Sequence, residues 1–214
     1  MFGYRVHGFG IRRVVAASAP VSDPYFTLLE TISGQLSSNN WLTKSYSASD
    51  GLVAGETGRL LIHIIAPNSF TSDMQVDNFN IDGTSYNFSS SSSGFTRTSH
   101  AQQQNTFLST MTPASRLSTY NAKTFETVTT GTSGESLWLR DSGGTGSSGT
   151  GSTLDGSGGS TSYYLYFESS GNGWPFGGIL RSPEFTLDSS PSISFKISRY
   201  GSSMGNAEVW WKKS

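Results

Sequence analysis

The feature that most restricts how this chain can fold is the spacing of its apolar residues, which recur at every second position in short stretches. In residues 192–198, Ile193, Phe195 and Ile197 alternate with Ser194, Lys196 and Ser198. A period of two places the apolar side chains on one face of a strand and the polar ones on the other. Residues 74–81 alternate likewise: Met74 and Val76 are in step, then Phe79 and Ile81 after a slip at Asp77-Asn78. One extra residue at such a slip is the mark of a β-bulge. Asp82-Gly83 follows at once and predicts a tight hairpin into residues 84–88.

The most apolar run is residues 59–66, bounded by Gly58 and Pro67. It is far too short to span a membrane as a helix, and its β-branched content fits a buried strand. Further strands are expected at 41–46, 124–130, 136–140, 163–168, 178–181, 185–187 and 208–211. Residues 25–32 read as a short strand or a helical turn. The one helix candidate lies within 99–122, starting after Ser99 as N-cap and opposed by Pro113. About nine short strands separated by turn residues predict a sandwich or barrel.

Composition agrees with a folded, neutral module. Aromatic residues make up 13% of the chain and charged residues 14%, the reverse of a disordered composition. The net charge is −1, and no basic cluster stands out beyond Arg12-Arg13 and Lys212-Lys213. A nucleic-acid footprint is therefore not expected. There are no cysteines, so the chain is expected to assemble in a reducing cytoplasm or to be stabilised by oligomer contacts.

Residues 1–24 hold Phe2, Tyr4 and Phe9 among Gly3, Gly8 and Gly10, with Arg12, Arg13, Pro20 and Pro24 behind them. Their apolar stretch is too short for a leader peptide. The segment is expected to be an extended arm whose rings and arginines dock on a neighbouring subunit.

Catalytic groupings are sparse. His7, His63 and His100 are the only histidines, and no Gly-x-Ser-x-Gly turn accompanies them. The carboxylates Asp73, Asp77, Asp82, Glu126 and Glu168 carry no spacing that would pair them for acid–base work. The chain is expected to be no enzyme and to need no cofactor. Calcium is the one ion considered, through Asp73, Asp77, Asp82 and Asp155 in or beside turns.

Two other stretches bear on binding. Residues 141–162 contain eight glycines and seven serines, and a loop of that length is expected to be functional or a mobile flap. Trp174 and Phe176 lie in the densest aromatic region, beside Tyr163, Tyr164, Tyr166 and Phe167. Trp210 and Trp211 point to opposite faces of one strand, so one of them is expected at the surface or an interface. Trp174, Phe176 and Trp211 are the surface-binding candidates.

Residues 123–211 resemble the MAM domain, a jelly-roll adhesion module of cell-surface proteins. Phe125-Glu126 and Leu137-Trp138 look like its opening strands. Gly146 to Gly151 with Asp155, then Gly158 to Glu168, look like its long loop and following strand. Gly178-Ile-Leu-Arg-Ser-Pro183 looks like its leucine–x–serine–proline corner. Ser194 to Tyr200, with Gly201 and residues 205–209, look like its central strand pair. The family's paired cysteines are missing, and its later strands have no counterpart after residue 211. Residues 70–81 look like those last strands and 59–66 like the strand before them, which implies a circularly permuted jelly roll.

Together these readings lead us to expect an all-β jelly-roll β-sandwich over residues 25–214, with residues 59–88 completing the sheets of 123–211 and an arm at 1–24. The opening residues 1–6 and 9–13, with 22–25, also resemble the starts of small virion-surface proteins of marine bacteriophages. The function expected is that of a structural virion protein, a decoration, fibre or tail-associated subunit assembled in the bacterial cytoplasm. Its partners would be other virion proteins through the arm, with a host surface glycan as a further contact. It is expected to be oligomeric or part of a larger assembly, without membrane insertion. The alternative is a carbohydrate-binding or adhesion module on a bacterial surface.

Overall fold

The structure, a computed structural model, describes residues 24–67, 69–101, 112, 126–127, 138–169 and 176–214. These residues form an all-β fold of two antiparallel sheets packed as a sandwich, with strands numbered in chain order. One sheet runs β1 (Phe26–Ile32), β13 (Asn206–Lys213), β3 (Thr57–Ala66), β10 (Phe176–Arg181), β6 (Thr96–Ala101) and β7 (Glu126–Thr127), with β11 (Phe185–Thr186) also paired to β3. The other runs β2 (Leu42–Ser47), β12 (Ser192–Ser198), β4 (Met74–Ile81), β9 (Tyr163–Phe167) and β8 (Trp138–Ser142), with β5 (Thr84–Tyr86) paired to β4. Strands from both parts of the chain interleave: β3 lies between β13 and β10, and β4 between β12 and β9.

Alternation builds the core from these strands. Ile193, Phe195 and Ile197 of β12 face Leu60, Ile62 and Ile64 of β3 in one buried cluster with Val209 and Trp211 of β13. The expected slip in β4 is a bulge. Its register against β12 shifts between Ser194 and Lys196, and Asn78 adopts a left-handed φ of 50°. The extra residue keeps Met74 and Val76 before it, and Phe79 and Ile81 after it, in the same core. At the hairpin, Asp82 and Gly83 take φ of 45° and 83°, as a two-residue turn demands. The Asp82 carboxylate then accepts from the Ser192 and Asp188 amides, at 2.7 and 2.9 Å, which ties the hairpin to the adjoining loop.

β3 explains itself by burial on both faces. Leu61 and His63, which alternate with its core residues, are themselves 0% exposed, so the strand reads as a continuous apolar run. The same double burial corrects the expectation for the tryptophans. They do point to opposite faces, yet Trp210 is 3% and Trp211 0% exposed. Trp211 packs on Phe185 at 5.1 Å and its indole donates to Glu56. Its ring lies so close to Gly58 that a Cβ there would sit 2.6 Å from it and 2.3 Å from the Lys212 carbonyl. Trp210 meets Phe26 edge to face at 6.4 Å.

One open expectation is resolved and another changes. Residues 26–32 form a strand, with a register shift between Leu28 and Glu30. The helix expected after Ser99 does not begin there: Ser99 and His100 belong to β6, paired with Gly178 and Gly177 of β10. Ladder hydrogen bonds to a central strand outweigh the weak local preference of a polar segment. Residues 102–111 and 113–122 of that expectation lie outside the described residues. At the other end of the fold, the Lys213 amide donates to the Tyr25 carbonyl at 2.8 Å, so the start of β1 and the end of β13 adjoin.

Candidate functional site

The outward face of the second sheet is unusual for a sheet surface because it is roofed over. β4 presents Gln75 and Asp77 there, β9 presents Tyr164 and Tyr166, and β12 presents Lys196, by the alternation that sends their neighbours into the core. Gln75, Asp77, Tyr164 and Tyr166 are all buried. Across them lies the glycine- and serine-rich segment 143–162.

Side chains and backbone from several elements fasten this segment. The Gln75 amide donates to the Ser152 carbonyl at 2.9 Å and accepts from the Ser152 amide. Trp41 donates through its indole to Leu154 O at 3.1 Å and to Ser152 Oγ at 3.2 Å. Asn39, at a left-handed φ of 60°, accepts from the Thr153 amide at 2.8 Å. Tyr164 donates to Gly143 O at 3.0 Å, and Thr150 to Tyr200 O at 2.9 Å. Gly156 is gripped twice: its amide donates to Asp77 Oδ2 at 2.9 Å, and its carbonyl accepts from Lys196 at 2.5 Å. Of the two alternatives for this loop, functional or a mobile flap, its fastening speaks against the flap: it is a fitted cover, with Ser152 0% and Asp155 4% exposed. Small residues allow this close approach. A Cβ on Gly156 would stand 3.1 Å from the Asp77 carboxylate.

Under the cover sit aromatic and acidic groups. Trp41 and Tyr166 each pack against Tyr164 at 6.2 Å, and Leu139 completes this second apolar cluster. Asp73 accepts from Ser169 through Oδ1, while its buried Oδ2 has no hydrogen-bond partner among the described residues. Asp77 Oδ1 is likewise buried and without a partner among the described residues. Burial pushes Asp73 up to about 7, and the nearby charge of Glu168 pushes the same way. Burial also pushes Asp77 up to about 7, with Asp155 adding to the rise and Lys196 opposing it. Desolvation keeps the Tyr164 and Tyr166 hydroxyls protonated.

The aspartates considered for calcium are mostly engaged elsewhere. Asp82 serves the hairpin. Asp155 accepts from the amides of Ser157 and Gly159 within its own turn. Asp77 holds the Gly156 amide, next in the chain to Asp155, but among the described residues no three Asp, Glu, His or Cys side chains gather as a metal-holding group.

The remaining site expectations fall as follows. Phe2, Tyr4, Phe9, Arg12, Arg13 and Trp174 lie outside the described residues. Phe176 opens β10, registered between Ala66 and Ala101. Trp211 belongs to the core. Sequence reading did not anticipate Asn39, Trp41, Gln75 and Ser152 as one clasp. The available signal was Gln75, a polar residue at the outward position between Met74 and Val76. Nor did it pair His63 with Glu208, which stand opposite in register with Nδ1 and Oε2 3.5 Å apart, the carboxylate also accepting from Trp210 at 3.1 Å.

No family model, curated protein or solved structure matches the chain.

Proposed function

We propose that this chain is a non-enzymatic structural subunit of a bacteriophage virion, a decoration, fibre or tail-associated protein built on a MAM-like, circularly permuted jelly roll. The observation that carries the reading is the fastening of the long 143–162 segment. Asn39, Trp41, Gln75, Asp77 and Lys196 spend their polar groups on holding a loop down. That is a use suited to a durable, near-neutral module on the outside of a particle. The arm at residues 1–24 supplies the docking element, and the reading calls for no cofactor.

Mass spectrometry of purified particles tests the assignment directly, since the protein should appear at a fixed stoichiometry. Deleting residues 1–20 should leave the circular dichroism and melting of the sandwich unchanged while abolishing incorporation into particles. Normal incorporation of the truncated chain would defeat the arm assignment.

A second reading, a carbohydrate-binding module, draws on one observation. Trp41 is only partly buried and leans on Tyr164, so it offers the edge of an aromatic platform to a sugar ring. A glycan array separates the two readings: binding that disappears in Trp41→Phe and Trp41→Ala alike favours the module.

A further inference from the structure

Asp77 occupies a position that favours one of its two ionisation states. It stands on the outward face of β4 at the bulge, 1% exposed, with the loop drawn down over it. Oδ2 takes the Gly156 amide at 2.9 Å, and Oδ1 is enclosed without a hydrogen-bond partner among the described residues. Among the described residues, two charged groups face it. Lys196 comes from β12, directly opposite in register, but its ammonium is aimed at the Gly156 carbonyl at 2.5 Å. Asp155 comes from the loop itself and carries the same sign as an ionised Asp77. From its own strand, the Asn78 backbone opposes the rise that burial causes. An ionised carboxylate here would keep one oxygen dry and unpaired, which is costly unless water can reach it.

We propose that Asp77 is a pH-sensitive latch: neutral, it holds the 143–162 loop closed on the sheet, and ionised, it favours lifting of the stretch around Gly156. Lifting hydrates the carboxylate and uncovers the buried face that carries Tyr164. This goes beyond the structural role proposed above and would stand or fall without it. Burial moves the closed-state titration of Asp77 up to about 7. The closed form therefore binds the proton more tightly than an open form with an ordinary carboxylate. By linkage, the open population grows as pH rises from the ordinary carboxylate range to neutrality, then levels off.

Hydrogen exchange of the full chain, followed by mass spectrometry and corrected for the intrinsic pH dependence of exchange, reads this directly. Between pH 5.5 and 8.5 the open population of the peptide covering residues 150–160 should rise at least roughly tenfold. In Asp77→Asn, which keeps an acceptor for Gly156 and cannot ionise, the rise should vanish. In Asp73→Asn it should persist. A flat profile in the wild type, an unchanged rise in Asp77→Asn, or loss of the rise in Asp73→Asn would each overturn the latch. If Asp77→Asn fails to fold, carbon-detected titration of the wild-type Asp77 carboxyl decides. A midpoint near neutrality supports the latch, and an ordinary carboxylate midpoint overturns it.

Discussion

Trp211 sits where two requirements meet, since its ring must fill the core and its indole N–H must find an acceptor. Phe185, the bare backbone of Gly58 and the Glu56 carboxylate answer these in turn. Trp211→Ala should destabilise the fold by about 3–5 kcal/mol, because the large cavity cannot close against two rigid sheets. Equilibrium urea unfolding measures this, and a loss under about 1 kcal/mol would contradict the packing. Trp211→Phe should be milder, losing the bond to Glu56 and part of the ring. The sequence placed Trp210 and Trp211 on opposite faces correctly and misjudged what lay beyond one of them. Alternation tells which way a side chain points. It does not tell whether that side of the sheet meets water.

Among the elements, β12, the bulged β4 and its Asp82-Gly83 hairpin were readable because each is a local pattern with its own physical signature. β6 was not, since Ser99 and His100 take strand geometry from β10, a partner far along the chain. The 141–162 stretch was readable as a loop, either functional or a flap, and its fastening was not readable. Glycine and serine suit a mobile segment, and they equally suit one pressed flat against a sheet. The polar groups that decide between these come from residues 39, 41, 75, 77 and 196, and no local window contains them. Gln75→Ala should therefore cost about 1–3 kcal/mol, since it strands both the amide and the carbonyl of Ser152. The same variant should be nicked within 143–162 by a broad-specificity protease under conditions where the wild-type loop resists. Equal cleavage of the two proteins would show that the clasp does not hold.

For the molecule as a whole, the acidic layer under the loop sets an inverted pH response. Burial pushes Asp73 and Asp77 up to about 7 in the folded protein, above the ordinary carboxylate range of the unfolded chain. Their contribution is fully present at acidic pH, where both states are protonated, and is lost as pH rises through neutrality. The melting temperature should then climb on acidification from pH 7.5 to 5, by on the order of 5 °C. A scanning calorimetry series at constant ionic strength checks this. The double change Asp73→Asn with Asp77→Asn should flatten the profile. A melting temperature that falls over the same range would show that these carboxyls are hydrated after all.

The bond between the Lys213 amide and the Tyr25 carbonyl has a mechanical meaning. Because β1 and β13 run antiparallel from that point, tension applied across residues 25 and 213 meets their ladder end-on. Rungs would part singly, like a zipper, instead of yielding together in shear. Whatever carries this module by those two points suspends it as a pendant from one spot, leaving the far ends of both sheets to swing outward, unloaded.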